Sequence, residues 1–178
     1  VVLAVRALAD DGADLGVVVC GKQSAYIERN QPAFRAQTDE YYASLAVLPD
    51  VLDRPKDAIM KVAVYDFDSA EHGPWPALSS FAEEAQIALS GEHWVDVQSL
   101  GTNKGVALRR IQRTLGITSA QTMVFGDFLN DLELMDAAEY SFAMDNAHPL
   151  LRERARFVAP PNTENGVVRT ITAALGLP

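Results

Sequence analysis

The sequence predicts an α/β fold in two parts: an α+β module over residues 1–95 and a helix–strand alternation over residues 96–178. Three features carry that expectation. The first half holds strand-length apolar runs in hairpin order with few helices between them, the pattern of an α+β module. The second half alternates helical spacings with short apolar runs, which implies parallel strands joined by right-handed crossovers. One of those runs ends on Gly126 and Asp127, and ligands of open α/β sheets sit at such carboxyl ends.

Residues 1–9 read as a helix already under way at Val1 and ending near Gly12. Residues 15–20 are a β-branched apolar strand, with 23–28 as its hairpin partner across a Gly21-Lys22 turn. Residues 30–37 are polar and read as a loop, 39–45 as a short helical turn, and 50–55 as another loop. Residues 58–67 form a strand centred on Val62, Ala63, Val64 and Tyr65. Gly73, Pro74 and Pro76 mark a loop over 72–76. Leu78, Phe81, Ala82 and Ala85 share one helical face, which predicts a helix over 77–89, and 93–97 are a strand.

In the second half, Ala107, Leu108, Ile111 and Leu115 space a helix over 104–115, stopped by Gly116. A strand over 122–125, a helix over 131–138 and a strand over 140–144 follow. Pro149 opens a helix that runs to about Arg154. A strand over 156–159 ends at Pro160 and Pro161, and the last helix covers 166–175.

Composition limits the function. The chain has 178 residues, 48% hydrophobic and 22% charged, the profile of a globular protein long enough to bury a core. Its 24 acidic and 15 basic side chains give a formal net charge of -9, which argues against general binding to nucleic acid or anionic membranes. An anionic small substrate stays compatible, since it needs only a local positive site or a metal. No apolar run approaches the roughly 20 residues of a membrane span, and no signal peptide is visible. The single cysteine, Cys20, makes no internal disulfide and no thiolate zinc site, which fits a reducing, cytoplasmic setting.

The sharpest chemical feature follows the strand over 122–125. Asp127 projects from the strand end, and Asn130 and Asp131 come three and four residues later, on the next helical turn. Two carboxylates and an amide make a hard oxygen site, which suits Mg²⁺ held by one or two carboxylates with waters and substrate oxygens. Asn130 or Asp131 taken singly reads equally well as a helix cap. Gly126 is read as permitting a sharp backbone turn there. A second feature is Thr102-Asn103-Lys104-Gly105. A lysine at a helix start is electrostatically misplaced unless an anion sits beside it. Lys104 therefore reads as a partner for a phosphate or an ionised carboxylate, with Gly105 permitting close approach.

Together these motifs resemble the haloacid dehalogenase superfamily of phosphatases, and more closely its Cof-type sugar-phosphatase branch. The resemblance covers about residues 94–178: Thr102 to Leu108, Phe125-Gly126-Asp127 through Asn130 and Asp131, Met135, Tyr140 to Ala147, and Asn165-Gly166-Val167. It implies the C-terminal part of a Rossmann-like core, preceded by a mobile α+β cap that the first half matches only in pattern. In such enzymes an aspartate attacks phosphorus to form an aspartyl-phosphate, which water hydrolyses. A second Asp, two residues on, handles the leaving-group proton. The resemblance gives Lys104 the charge-balancing role, Asp127 the Mg²⁺ ligand, Asn130 a place near the substrate phosphate, and Asp131 support for the metal or the lysine. It implies a small phosphorylated metabolite, a sugar phosphate above all, as substrate. A phosphomutase of the same chemistry and a non-catalytic module that binds a phosphorylated ligand or a partner remain alternatives.

The family's Asp-x-Asp-Gly-Thr nucleophile motif is not found where it belongs, and neither is the Ser or Thr that ends the second core strand. With the helix under way at Val1, the chain reads as a piece of a longer protein whose nucleophile is unknown. Asp66, in Tyr65-Asp66-Phe67-Asp68-Ser69, imitates the motif, but Ser69 and Ala70 replace its Gly and Thr, and Lys61-Val62 fits the start of a cap strand. Asp66 and Asp68 read better as a strand-end pair on the cap. His72, His93 and His148 are scattered without metal-ligand spacing, Trp75 anchors a loop, Met135 and Met144 are core, and Arg152, Arg154 and Arg156 are a solvated basic run.

Overall fold

Each half of the chain is organised by its own sheet. The computed structural model describes residues 1–177, and the chain divides into two units, Val1–Leu100 and Gly101–Pro178. The division falls at Leu100, after the strand Trp94–Ser99, which pairs on both sides inside the first unit.

The first unit runs α1 (Val2–Asp10), β1 (Leu15–Gly21), β2 (Ala25–Ile27), α2 (Pro32–Asp39), β3 (Leu45–Val47), β4 (Ile59–Asp66), α3 (Pro74–Leu78), β5 (Ala85–Gly91) and β6 (Trp94–Ser99). Its six strands lie in the order β3-β2-β1-β4-β6-β5. β1 pairs antiparallel with β2 and β4, and β6 pairs antiparallel with β4 and β5; only β2 and β3 are parallel. Side chains alternate across the sheet. Val18 and Cys20 of β1 pack with Ala63 and Tyr65 of β4 on one face, under Phe34 of α2. Val19 packs on the other, with Val2 of α1, Tyr26 and Val51. Gly16 shares the Phe34 face, and a Cβ there would collide with the Phe34 ring, so the glycine is what lets α2 lie close to β1.

Four expectations in this unit are corrected. Residues 30–37 are not a loop: Pro32 opens α2, and Phe34, fully buried, docks it. One apolar anchor in a polar helix leaves almost no periodic signal. The expected helical turn at 39–45 is instead the end of α2 and the approach to β3, whose three residues pair Leu45 with Ala25. Residues 50–55 are not simply loop, since Asp50 caps a short 3-10 turn, Val51–Asp53, by accepting from Leu52 N–H at 2.8 Å. The helix expected over 77–89 is the largest error. A helix starts at Pro74, within the expected 72–76 loop, and stops at Leu78, a 3-10 turn follows, and Ala85–Gly91 is an edge strand paired with β6. The helical spacing of Leu78, Phe81, Ala82 and Ala85 loses to long-range pairing.

The second unit runs α4 (Lys104–Leu115), β7 (Met123–Gly126), α5 (Leu132–Met135), β8 (Tyr140–Met144), α6 (Pro149–Arg154), β9 (Phe157–Ala159) and α7 (Gly166–Leu175). The sheet β7-β8-β9 is parallel throughout, as the alternation predicts. Val124 and Ala143 pack with Met135 of α5 and Leu151 of α6 to form its core. Phe125, Phe142 and Phe157 stand in register across the three strands, with neighbouring rings stacked at 5.1 Å. The helix expected over 131–138 shortens to α5, because a 3-10 turn, Leu129–Asp131, precedes it.

Two outcomes test the first unit. Gly16→Ala overpacks the Phe34 ring and lowers stability by about 1–3 kcal/mol in denaturant unfolding; adding Phe34→Leu recovers part of the loss. Asp57 holds the β1–β2 turn, accepting from Gln23 N–H at 3.0 Å, Ser24 N–H at 3.4 Å and the Tyr26 hydroxyl at 3.1 Å. Burial alone would push the Asp57 carboxyl up, but those donors outweigh it and hold its pKa below the ordinary carboxylate value. A depressed carboxyl stabilises above its unfolded pKa and loses that contribution as pH falls through the folded value. The difference in urea midpoint between wild type and Asp57→Asn should therefore hold above about pH 5 and close below about pH 4.

Candidate active site

Because β7, β8 and β9 run parallel, their carboxyl ends lie along one edge of the second unit's sheet. β7 delivers Asp127 to that edge, with its side chain exposed. Its peptide is held on both sides. The Asp127 N–H donates to Asp131 Oδ2 at 3.2 Å, and its carbonyl accepts from the His148 N–H at 2.9 Å.

Asp131 is the buried member, 4% exposed, and both of its oxygens are engaged. Oδ2 takes the Asp127 N–H, and Oδ1 takes the Lys104 ammonium at 2.5 Å. Lys104 is the first residue of α4, and Asn103 caps that helix by accepting from Val106 N–H at 2.8 Å. The misplaced lysine thus finds a carboxylate of the protein itself. Its side chain remains half exposed, and an ammonium carries three donors, so it has protons left for a second anion.

Asn130 lies on the same turn, half buried, and among the described residues no hydrogen bond joins its side chain to the other three. Asp66 is in the first unit, at the end of β4, and is 5% exposed. Its Oδ1 accepts from Asp68 N–H at 2.8 Å, and its carbonyl accepts from His93 Nδ1 at 2.9 Å. That arrangement closes the Asp66–Asp68 turn, as expected of a strand-end pair.

Two readings of the glycines change. Neither Gly105 nor Gly126 has a positive φ, so Gly126 is not there to permit a sharp turn. Both are buried against protein instead. A Cβ on Gly126 would sit 2.7 Å from Asp131 Cβ and 2.8 Å from Asp131 Oδ2. A Cβ on Gly105 would collide with the Glu133 carbonyl. Sequence reasoning also missed His148. Its backbone anchors Asp127, its Nδ1 accepts from Leu150 N–H at 3.2 Å to cap α6, and its ring stands edge-on to Phe128 at 5.5 Å. The readable signal was its place directly before Pro149, the N-cap position of a proline-led helix.

Among the described residues no cluster of three His, Cys, Asp or Glu is arranged to hold a metal. Mg²⁺ does not require one, since it binds through one or two carboxylates and completes its shell with water and phosphate oxygens. The donor set fits that mode. Asp127 offers a free, exposed carboxylate, and Asp131 stands behind it with its oxygens engaged.

Fold and site together define an α/β protein that gathers acid and lysine side chains at the carboxyl edge of a parallel sheet. The chain belongs to the haloacid dehalogenase-like hydrolase family, whose profile matches residues 4–171. It is 29% identical over 164 residues to the 5-amino-6-(5-phospho-D-ribitylamino)uracil phosphatase YbjI of Escherichia coli strain K12, a match covering 91% of this chain and 60% of that protein. The crystal structure of SMU.1108c from Streptococcus mutans UA159 covers 98% of this chain with a TM-score of 0.85 at 21% identity, and the match takes in 67% of that protein. The subclass IIB sugar phosphatase BT4131 covers 97% with a TM-score of 0.75 at 17% identity, over 65% of its own chain. These two likenesses establish the fold. The chain thus spans about 60% of the length of that curated relative.

Removing Lys104 leaves Asp131 buried without its counter-charge. Lys104→Met should lower stability by about 1–3 kcal/mol, the penalty of an orphaned buried acceptor. Lys104→Arg should lose less, and urea unfolding of both variants measures the difference.

Proposed function

We propose that this site serves the hydrolysis of small phosphorylated metabolites, with sugar phosphates as the leading class, in the intact protein. The observation that carries the reading is the linked set Lys104–Asp131–Asp127 at the sheet edge. Phosphoryl transfer asks a protein mainly for positioning and charge neutralisation. Lys104 supplies a cation whose place is fixed by a buried carboxylate but whose outer side reaches solvent. Asp127 supplies the carboxylate that would hold Mg²⁺, and Asp131 orients both. Bound Mg²⁺ would polarise the phosphoryl oxygens and offset their charge. Asn130, on the same turn, is assigned to the edge of the phosphate site.

The family chemistry proceeds by attack of an aspartate on phosphorus, and we carry that intermediate over to the intact protein. We do not assign the attacking group to Asp66, whose carboxylate closes its own turn. The named activity of the uracil-derivative phosphatase and of the sugar phosphatase supports a small organic phosphate. We assign the first unit to the cap and the second to the core. A cytoplasmic setting fits the buried single cysteine, and among the described residues no helix is long and apolar enough to cross a membrane.

The test is hydrolysis of an aryl phosphate, with and without Mg²⁺, by the 178-residue chain and by the intact protein. The intact protein should turn over only with Mg²⁺, and Asp127→Ala should reduce kcat by about 10²–10³-fold, the range for losing one preorganised charge-stabilising group. The 178-residue chain should be inactive. An intact protein that binds phosphate esters without releasing phosphate would favour the binding-module reading instead.

A further inference from the structure

We infer that Gly105 and Gly126 are positioning residues: together they form a seat that sets where the Asp131 carboxylate stands between Lys104 and the Asp127 peptide. The inference deepens the phosphatase reading and, for its catalytic meaning, rests on it.

Each of the two glycines packs against the same short segment, the one that carries Asp131 and Glu133. Gly126 ends β7, and a Cβ there would fall 2.7 Å from Asp131 Cβ, 2.8 Å from Asp131 Oδ2 and 2.9 Å from Met135 Cε. Real Cβ atoms essentially never approach another heavy atom within 3.0 Å. Gly105 follows Lys104 in the first turn of α4. A Cβ there would fall 2.6 Å from the Glu133 carbonyl carbon and closer still to its oxygen. Those are backbone atoms two residues past Asp131, and they have no rotamer to escape into.

The consequences differ. A side chain at position 126 pushes Asp131 itself: its carboxylate can rotate away, but its Cβ is fixed to the backbone, so the turn that carries Asp131 must shift as well. The carboxylate would then leave the Asp127 N–H, now 3.2 Å from Oδ2, or the Lys104 ammonium, now 2.5 Å from Oδ1. A side chain at position 105 drives the first turn of α4 off α5 and withdraws the Lys104 backbone. The long lysine stem can follow part of the way, but Nζ then stands elsewhere relative to Asp127. Geometry of that order governs phosphoryl transfer. Helix propensity points the opposite way, because alanine is favoured over glycine inside a helix. Gly105→Ala should therefore stabilise unless the Glu133 contact decides.

The experiment is a double-mutant cycle on the 178-residue chain, read by urea unfolding, so that it needs no turnover. Lys104→Met and Asp131→Asn are made singly and together in the wild type, in Gly126→Ala and in Gly105→Ala. In the wild type the two substitutions should be coupled by about five-fold or more in the unfolding equilibrium. In Gly126→Ala the coupling should fall below about two-fold, a readout that general loosening of the core does not move. Gly105→Ala should behave likewise, with its own midpoint lowered rather than raised. Full coupling in Gly126→Ala, or a raised midpoint in Gly105→Ala, overturns the inference. If Gly105→Ala does not fold, Gly126→Ala still decides, since its clashes are milder and two of the three are with side-chain ends that can rotate, Asp131 Oδ2 and Met135 Cε. A wild-type cycle without coupling also overturns it. If coupling behaves as expected but the intact protein releases no phosphate, the seat stands and the phosphatase reading falls.

Discussion

The second unit is arranged around one buried carboxylate. Asp131 is 4% exposed and accepts a lysine ammonium on one oxygen and a backbone N–H on the other. An unpaired buried charge is strongly unfavourable, so a carboxylate in that position must have donors. Lys104 and the Asp127 peptide are those donors, and each comes from a different element. The need to satisfy Asp131 therefore ties the first turn of α4 to the end of β7. It also settles an electrostatic conflict that the chain sets up at Lys104, where a cation meets the positive end of a helix.

The same requirement sets two neighbouring carboxylates apart. By residue type Asp127 and Asp131 both suit a metal, with Asp131 also offered as a support, and the structure gives them different surroundings. Asp127 is exposed, with its carboxylate free and its peptide pinned by Asp131 and His148. Asp131 is buried, with its carboxylate engaged. A group that binds a ligand must face it, whereas a group that orients others can be enclosed. On that distinction the Asp127 carboxylate is the one open to solvent, and the Asp131 carboxylate is the one held by protein donors.

Legibility followed the physics of each element. The helices Lys104–Leu115, Pro149–Arg154 and Gly166–Leu175 and the strand Tyr140–Met144 match expectation residue for residue. They have local stop and start signals: Gly116 at a left-handed cap, Pro149 at a helix start, Gly176 at another left-handed cap. The first unit was harder to read because its elements depend on distant partners. α2 exists through Phe34 against β1, β3 through pairing with β2, and β5 through pairing with β6. In the site, the residue types and their order could be read, since Lys104, Asp127, Asn130 and Asp131 sit in recognisable motifs. The pairing of Lys104 with Asp131 was one of the two roles that the resemblance offered for Asp131; the enclosure of Asp131 and the packing role of both glycines could not be read, because each is a contact between segments.

Lys104, Asp127 and Asp131 all lie in the second unit, carried by one helix, one strand and the turn after it. The charge arrangement is therefore a property of that unit by itself. A lysine and a carboxylate suited to a metal read only what all phosphomonoesters share, the charge of the phosphoryl group. Discrimination among metabolites needs contacts to the rest of the molecule, because selectivity is a difference between transition-state contacts and not their total. A protein can thus keep this constellation fixed, seated against two glycines, while the residues that choose the substrate change elsewhere. That division fits a family whose named members act on different small phosphates, as the uracil-derivative phosphatase and the sugar phosphatase do.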